Sequence, residues 1–411
     1  MTAVKAVGLL AFAVPSLLVG QECAPDNAGI TVPEGFCVVV VAEDLGRARH
    51  MAVASNGDIF VAVPGDSGGV YALRDADRDG HHEVRELVIR DPRAAYVRLH
   101  AADSWLYYGT LNEIIRYPRS AGRLAFPGPP DTIVRDLPGG RQHGIKTFTF
   151  GPAGELFVNI GAPSNSCQEN DRQAQSPGMD PCPLRDSTAG IWVWHAHQVG
   201  QGREDGRRHA TGLRNTVALT VRPVSGRLYG VVHGRDMLSA SWAYSDSANA
   251  EKPAEEFFRI DRGDDFGWPY CHYDPALDRK VLAPEYGGDG TEAGRCADTE
   301  APLIAFPAHW GPNGITFYDE DHFPAEYRGG AFIAFHGSWN RAPLPQEGFN
   351  VVFVPFEGDR PGEWRVFAAG FREQGSRPVD VVVGPDGSLY VSADPAGREG
   401  TGRIYRILYR G

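Results

Sequence analysis

The sequence predicts an all-β fold, a six-bladed β-propeller with long inter-strand insertions. The first observation is a hairpin pattern of two short apolar segments around a glycine-containing turn, which recurs about six times along the chain. The second is the content of 50 glycines and 31 prolines in 411 residues, which is typical of a turn-rich globular protein. Radial repetition of four-stranded sheets is the all-β architecture that best accommodates such uneven units.

The hairpin copies differ in strength. The most regular one ends the series and has a Gly-Pro-Asp-Gly turn between two apolar segments, as expected for adjacent antiparallel strands. In the fifth copy an insertion around Phe323 and Pro324 lengthens the connection. The strong copies span residues 53–61, 145–158, 221–229 and 383–391, and the weak copies span residues 99–108 and 315–335.

The repeats predict one closed domain over residues 21–411, because no linker rich in serine, glycine or charge separates the units. The valine-rich segment 35–42 is predicted to pair with the C-terminal segment 403–409. Such pairing would close the ring and cover an exposed strand edge.

The first 20 residues predict a secretory signal peptide. Lys5 precedes an apolar run over residues 7–19, which is shorter than the roughly 20 residues that a membrane span needs. No later stretch is long and apolar enough to cross a bilayer. We therefore expect a periplasmic or secreted protein without a membrane span in the mature chain.

The six cysteines agree with export. They fall as near neighbours in sequence, which favours local disulfides in an oxidising compartment, although six cysteines allow 15 connectivities. No Cys-x-x-Cys spacing suggests zinc. The net charge of −12 and the lack of a basic run argue against a nucleic-acid partner. The neighbouring pairs are Cys23 and Cys37, Cys167 and Cys182, and Cys271 and Cys296.

An acidic loop between the first two units has the spacing of a calcium loop. Asp75, Asp77 and Asp79 stand at loop positions 1, 3 and 5, Gly80 at position 6 and Glu86 at position 12. The flanking segments are β-like, so this is predicted to be a structural calcium site on a hairpin. A solvated acidic turn is the alternative reading.

Polar side chains precede the inner strand in five of the units. In a propeller these positions crowd the mouth of the central channel. Arginines there suit an anionic ligand, and a histidine suits a general base near neutral pH. The residues are Arg49 and His50, Gln142 and His143, Arg214 and Asn215, His309 and Asn313, and Arg377 and Asp380.

Several motifs, taken together and in this order, resemble the glucose/sorbosone dehydrogenase family, and most closely its L-sorbosone dehydrogenase-like branch. That family consists of soluble six-bladed propellers that carry pyrroloquinoline quinone (PQQ). The motifs are His143-Gly-Ile-Lys, Thr211-Gly-Leu-Arg-Asn, His233-Gly-Arg-Asp, Phe266-Gly-Trp-Pro-Tyr, His336-Gly-Ser-Trp-Asn-Arg and Arg377-Pro-Val-Asp.

The resemblance implies a mechanism and a set of site residues. His143 matches the general base that takes the proton from the substrate hydroxyl while hydride moves to the quinone. Arg214 matches the arginine beside the reacting quinone carbonyl. Backbone carbonyls near Gly234 and Arg235 align with the loop that holds a calcium ion bound by the quinone. The implied cofactor-binding residues are His143, Arg214, Asn215, Trp339, Asn340, Arg341, Arg377 and Asp380.

Departures from the family pattern bear on the base and the substrate. The residue before the base is Gln142 rather than Asp, and the carboxylate that orients the base aligns with Ala162. We expect Asn165, or another residue from 164 to 169, to supply that contact. The glutamine of the second blade in glucose enzymes has no counterpart, so the expected substrate is an aldose, aldosone or polyol-derived aldehyde hydrate rather than glucose.

The chain has no Cys-x-x-Cys-His haem motif, so we expect a separate electron acceptor, a quinone or a cytochrome. Two other classes stay open at this point. A calcium-dependent propeller lactonase or esterase would need more carboxylate ligands at the mouth. A non-catalytic secreted binding propeller would keep the fold without the chemistry.

Overall fold

Six four-stranded antiparallel sheets occur in the part of the chain that the structure, a computed structural model, describes: residues 23–337, 339–397 and 401–411. The first strands of neighbouring sheets contact one another in five of the six pairs, so these strands surround a central channel. The predicted six-bladed β-propeller is therefore confirmed. The predicted signal segment, residues 1–20, lies outside the described residues.

The first strand of the chain belongs to the last blade. Strand β1 (Phe36–Ala42) completes blade 6, and blades 1 and 2 then follow, each running from the channel outwards. Blade 1 consists of β2 (Met51–Val53), β3 (Ile59–Val63), β4 (Gly69–Arg74) and β5 (Val84–Ile89). Blade 2 consists of β6 (Tyr96–His100), β7 (Trp105–Gly109), β8 (Ile114–Pro118) and β9 (Asp131–Val134).

Blades 3 and 4 carry the longest insertions. Blade 3 consists of β10 (Phe148–Phe150), β11 (Glu155–Ile160), β12 (Gly190–His195) and β13 (Arg207–Thr211). Blade 4 consists of β14 (Ala218–Val221), β15 (Leu228–Val232), β16 (Glu255–Arg259) and β19 (Ile304–Phe306), with an inserted hairpin of β17 (Cys271–Asp274) and β18 (Arg279–Leu282).

Blades 5 and 6 complete the ring. Blade 5 consists of β20 (Pro312–Phe317), β21 (Ala331–Phe335), β22 (Asn350–Val354) and β25 (Arg365–Ala368), with a small hairpin of β23 (Phe356–Glu357) and β24 (Arg360–Pro361). Blade 6 consists of β26 (Ser376–Val383), β27 (Leu389–Pro395), β28 (Arg403–Tyr409) and β1.

Helices are short and lie in the connections. The insertion of blade 4 holds α1 (Leu238–Trp242) and α2 (Asp246–Glu251). Ser245 caps α2, since its hydroxyl accepts a hydrogen bond from the amide of Ala248 at 3.1 Å. Single 3₁₀ turns occupy Pro25–Gly29, Pro183–Asp186, Arg203–Asp205, Pro284–Tyr286, Gly294–Asp298 and Ala325–Tyr327.

The hydrophobic core lies between adjacent blades. Strand β3 is apolar at every position because both of its faces are covered: Ile59 and Val61 pack against blade 6, whereas Phe60 and Ala62 pack against blade 2. Full burial of a side chain such as Ile59, Phe60 or Val61 contributes about 1.5–3 kcal/mol of transfer free energy. Burial on both faces therefore fixes how the blades stack.

The ring closes as predicted, with β1 antiparallel to β28 from the pair Phe36 and Tyr409 to the pair Ala42 and Ile404. Phe36 also packs edge-on against Phe323 of blade 5 at 4.8 Å between ring centroids. All six cysteines form the predicted local disulfides within the described residues, Cys23–Cys37, Cys167–Cys182 and Cys271–Cys296.

Candidate active site at the mouth of the channel

A cavity of about 770 Å³ opens at the mouth of the channel, within the 300–1,000 Å³ range of small-molecule sites. It brings together four of the ten polar residues predicted there: Arg49, His143, Asn215 and Asn313. The inner strands deliver them because each of these residues stands just before such a strand or at its start.

His143 is the cavity residue best placed for proton transfer. Its Nδ1 lies 2.6 Å from the carbonyl oxygen of Ala162. Since a carbonyl can only accept a hydrogen bond, Nδ1 carries the proton and Nε2 keeps a lone pair. Nε2 makes no hydrogen bond to the described residues. The imidazole is thus held as a base by the main chain of Ala162, rather than by the side chains of residues 164–169 as expected.

Burial, together with the charge of Arg214, lowers the pKa of His143 to about 3. The ring is therefore neutral at physiological pH. His143 adopts a left-handed backbone with φ of 49°, which brings it against Gly161: a Cβ on Gly161 would stand 2.6 Å from the Cβ of His143. The absence of a side chain at Gly161 therefore leaves the space that His143 occupies.

Arg214 lies behind the cavity wall, not among the residues that line the cavity. Its guanidinium donates to the carbonyl and side-chain oxygens of Asn165 at 3.1 and 2.9 Å, to the carbonyl of Gly234 at 2.8 Å and to Asp236 at 3.0 Å. It acts on the site through its charge, which depresses the pKa of His143, and through the backbone that it holds.

The predicted calcium-binding carbonyls lie in a tightly held loop. The amide of Gly234 donates to Glu255 at 2.7 Å, and Glu255 also accepts from the amide of Gly311 at 3.1 Å. Burial raises the pKa of Glu255 to about 7. The side chain of Arg235 turns away from the cavity and pairs with the buried Glu285.

Arg341 was predicted to bind the cofactor, and the structure does not bring it into the cavity. Its buried guanidinium contacts Glu251 and Glu347, each at 3.0 Å, and the carbonyl of Ala250 at 2.7 Å. Two carboxylates of the protein therefore neutralise the Arg341 guanidinium, which the motif had predicted to bind an anionic cofactor. Trp339 beside it is 60% exposed.

Asn340 also lies in this buried loop, outside the cavity lining. Its side-chain oxygen accepts from the amide of Met237 at 3.1 Å, and its carbonyl accepts from the side chain of Asn249 at 2.7 Å. The residue thus joins the loop after β21 to the helices of blade 4.

Arg377 and Asp380 form hydrogen bonds that hold the walls of the channel together. Arg377 donates to the carbonyls of His336 and Gly337 at 2.9 and 2.6 Å. Asp380 is fully buried and accepts from Arg98 at 2.8 and 3.2 Å and from the amide of Met51 at 3.0 Å. Asp380 therefore links blades 1, 2 and 6, and neither Arg377 nor Asp380 lines the cavity.

His233 lines the cavity and was not among the predicted site residues. Its Nε2 lies 2.6 Å from the carbonyl oxygen of Pro312, so Nε2 carries the proton and Nδ1 is the acceptor. Burial lowers the pKa of His233 to about 4. The strand pattern does contain a signal for His233. In an antiparallel hairpin, the residues that follow the second strand lie at the same end of the sheet as the residues that precede the first strand. Asn112, after β7, follows the same rule.

Three insertions form what we call the cap, residues 164–186, 239–254 and 271–299. Two disulfides lie within it, and Glu285 joins its parts by accepting from Ser166 and Trp242, both at 2.8 Å. The cap reaches the site through Asp171, which accepts from Gln142 at 2.6 Å and from Ser164 at 2.7 Å. Gln142 directly precedes His143, so the cap supports the strand entry that carries the base.

The acidic loop differs from the predicted ligand set. The carboxylates of Asp75, Asp77 and Glu83 lie within 4.8 Å of one another. Glu86 is instead an exposed residue of β5 paired with Ala72, because the β-strand starts too early for a 12-residue loop. The side chain of Asp79 accepts from the amide of His81 at 2.8 Å. Calcium binding at this loop stays a prediction.

None of the helices in the described residues is long and apolar enough to span a bilayer. The sequence model of the TrAA12-like family matches residues 30–409. A pyrroloquinoline quinone-dependent pyranose dehydrogenase of Coprinopsis cinerea is 26% identical over 235 residues, covering 47% of this chain and 30% of that enzyme. An uncharacterised protein of Borreliella burgdorferi is 28% identical over 204 residues, covering 49% of this chain and 48% of that protein.

These matches thus span less than half of either relative. Solved structures also share the fold, among them the following two. A calcium structure of a Trichoderma reesei AA12 enzyme has a TM-score of 0.76 at 18% identity, covering 93% of this chain and 97% of that one. The holo PQQ domain of the Coprinopsis cinerea pyranose dehydrogenase has a TM-score of 0.74 at 20% identity, covering 92% and 97%.

Proposed function

Because the chain belongs to the TrAA12-like family, we propose that it is a PQQ-dependent dehydrogenase of sugars. The observation that carries the proposal is His143, a neutral imidazole fixed by Ala162 with Nε2 free at the mouth cavity. The L-sorbosone branch and the exact aldose or aldosone remain predictions from the sequence.

The residues present fit an anionic quinone. No acidic residue lines the cavity in the described part of the chain, whereas Arg49, Asn215, Asn313 and Asn112 do. Arginine and amide side chains suit carboxylate and carbonyl oxygens. The guanidinium of Arg49 keeps donors available, since its one hydrogen bond to the described residues is to Asp394 at 2.9 Å. These four residues would hold the cofactor.

PQQ, when bound, would accept the two electrons removed from the sugar carbon. His143 would take the proton of the reacting hydroxyl on Nε2, because Nδ1 is committed to Ala162. Arg214 would place a buried positive charge near the oxygen on which negative charge develops. The carbonyls near Gly234 and Arg235 would help to hold a calcium ion with the cofactor.

Export supports the same proposal. The three disulfides of the described residues suit an oxidising compartment, and the N-terminal segment predicts a signal peptide. We therefore place the enzyme in the periplasm or outside the cell, where a separate quinone or cytochrome would take its electrons.

Steady-state dye reduction tests the proposal. Purified protein is assayed with a panel of aldoses and aldosones, with and without PQQ, in excess calcium. The expected result is sugar oxidation that requires PQQ. Hydrolysis of lactones or aryl esters without any PQQ-dependent oxidation would favour the propeller lactonase instead.

A further inference from the structure

The mouth cavity carries an unbalanced positive charge. Its lining in the described residues contains two arginines and no acid, and its two histidines are neutral, in a chain with 52 acidic residues and a net charge of −12. Lys146 adds to it from behind the lining: its buried Nζ donates to the carbonyl of Gly144, a lining residue, at 2.7 Å and has no ion-pair partner among the described residues. Such a concave site attracts anions.

The two lining arginines differ in their surroundings. Arg49 is buried and is partly neutralised by Asp394 at 2.9 Å. Arg141 is exposed, and the structure gives it no hydrogen bond or ion pair with any described residue. An arginine that lines a cavity and has all of its donors available is suited to a ligand from solution.

Arg141 stands two residues before the proposed base. Consecutive Cα atoms are 3.8 Å apart, so the Cα atoms of Arg141 and His143 are at most about 7.6 Å apart. A sugar whose hydroxyl meets Nε2 of His143 would thus have another part of its ring within reach of the arginine. Arg49 and Lys146 are buried, whereas Arg141 is exposed to solvent.

We propose that Arg141 binds an anionic group of the substrate, so that this site prefers sugar acids with a carboxylate, such as uronic acids, over neutral sugars. The inference rests on the proposed function. A guanidinium can form two parallel hydrogen bonds to a carboxylate. A neutral sugar has no carboxylate and cannot make this contact. Preference for the acid would therefore be a property of one side chain.

Calorimetric titration tests this inference without requiring turnover. D-galacturonate and D-galactose, which differ only at C6 as carboxylate and hydroxymethyl, are titrated into wild type and Arg141→Gln, each without PQQ and with PQQ reduced beforehand so that no sugar is oxidised. The affinity of both proteins for PQQ is measured by quinone absorbance. We expect wild type to bind the uronate more tightly. Arg141→Gln should raise the Kd of the uronate at least about tenfold, the effect of one lost charged hydrogen bond. The Kd of galactose should change by less than about twofold.

Arg123→Gln is the matched control. Arg123 is also exposed, and it does not line the cavity, so this variant makes the same change in net charge without changing uronate binding. Added salt should weaken uronate binding and leave galactose binding unchanged. Equal affinity of wild type for the two sugars, or an equal loss of both in Arg141→Gln, would overturn the inference.

The affinity for PQQ separates this inference from the proposed function. A lower PQQ affinity in Arg141→Gln, with unchanged uronate selectivity, would assign the arginine to the cofactor and overturn the inference. Absence of PQQ binding to wild type, with the uronate preference intact, would contradict the proposed function and support the anion site.

Discussion

At the scale of residues, the state of the proposed base depends on the main chain. The carbonyl of Ala162 fixes the tautomer of His143, and burial keeps the imidazole neutral. A carboxylate partner would instead raise the basicity of the ring. A neutral, weakly basic imidazole still provides a proton acceptor throughout the neutral pH range, because its pKa of about 3 lies far below it.

His143→Asn tests this role. Asparagine tolerates positive φ and can still donate to Ala162, but it has no basic nitrogen in place of Nε2. We expect kcat for sugar oxidation to fall by about 10²–10⁴, the usual contribution of a general base. The affinity for PQQ, measured by quinone absorbance, should stay within about threefold. A variant that turns over sugar at the wild-type rate would remove His143 from the mechanism.

The sequence could place His143, Asn215, Asn313 and Arg49 at the mouth because strand order alone brings them there. It could not show that Arg341 is neutralised by Glu251 and Glu347, since those partners come from an insertion and a loop whose conformations no repeat pattern specifies. The hydrogen bond from His143 to a backbone carbonyl is likewise invisible in residue types.

At the scale of elements, the cap and the acidic loop are the additions to the blades that bear on ligand and metal binding. The cap is joined internally by Glu285 and the disulfides, and it contacts the site through Asp171 and Gln142. The sequence predicted long inter-strand insertions but not how they pack, because long connections have no periodicity from which to predict contacts.

Removing the disulfide of the cap should reduce catalysis. The double variant Cys167→Ser and Cys182→Ser opens a loop of sequence separation 15, which corresponds to about 3 kcal/mol of unfolding free energy. We expect kcat/KM to fall at least about tenfold as the entry to β10 loosens. PQQ affinity should change less.

The control is the double variant Cys23→Ser and Cys37→Ser. Its disulfide has a similar sequence separation of 14 and joins the N-terminal segment to β1, the outer strand of blade 6. A similar loss of stability with unchanged kcat/KM is expected. Identical kinetic losses in both double variants would show that the cap has no specific role at the site.

The acidic loop predicts a calcium effect on stability. If Asp75, Asp77 and Glu83 bind the ion, excess calcium should raise the Tm of the PQQ-free protein by a few degrees, as expected for about 1–2 kcal/mol of binding. Glu83→Gln should reduce this shift, and Glu86→Gln should retain it because Glu86 lies in β5. If only Glu86→Gln lost the calcium-induced shift in Tm, the result would support Glu86 as a ligand, as the loop spacing predicts, and contradict Glu83.

At the scale of the whole molecule, the ring closes through β1 and β28, and each blade buries apolar residues against both neighbours. The sequence predicted this architecture well because the hairpins repeat and the strand alternation is regular. Closure fixes the six inner strands around one channel. The mouth cavity is thus a product of the ring, to which five blades contribute lining residues.

The central claim, that this cavity is a PQQ site, is tested most directly by titrating the purified PQQ-free protein with PQQ in excess calcium while following the quinone absorbance. We predict saturation at one equivalent per chain, followed by bleaching of the bound quinone when a substrate sugar is added. Absence of saturable binding under these conditions would contradict the claim.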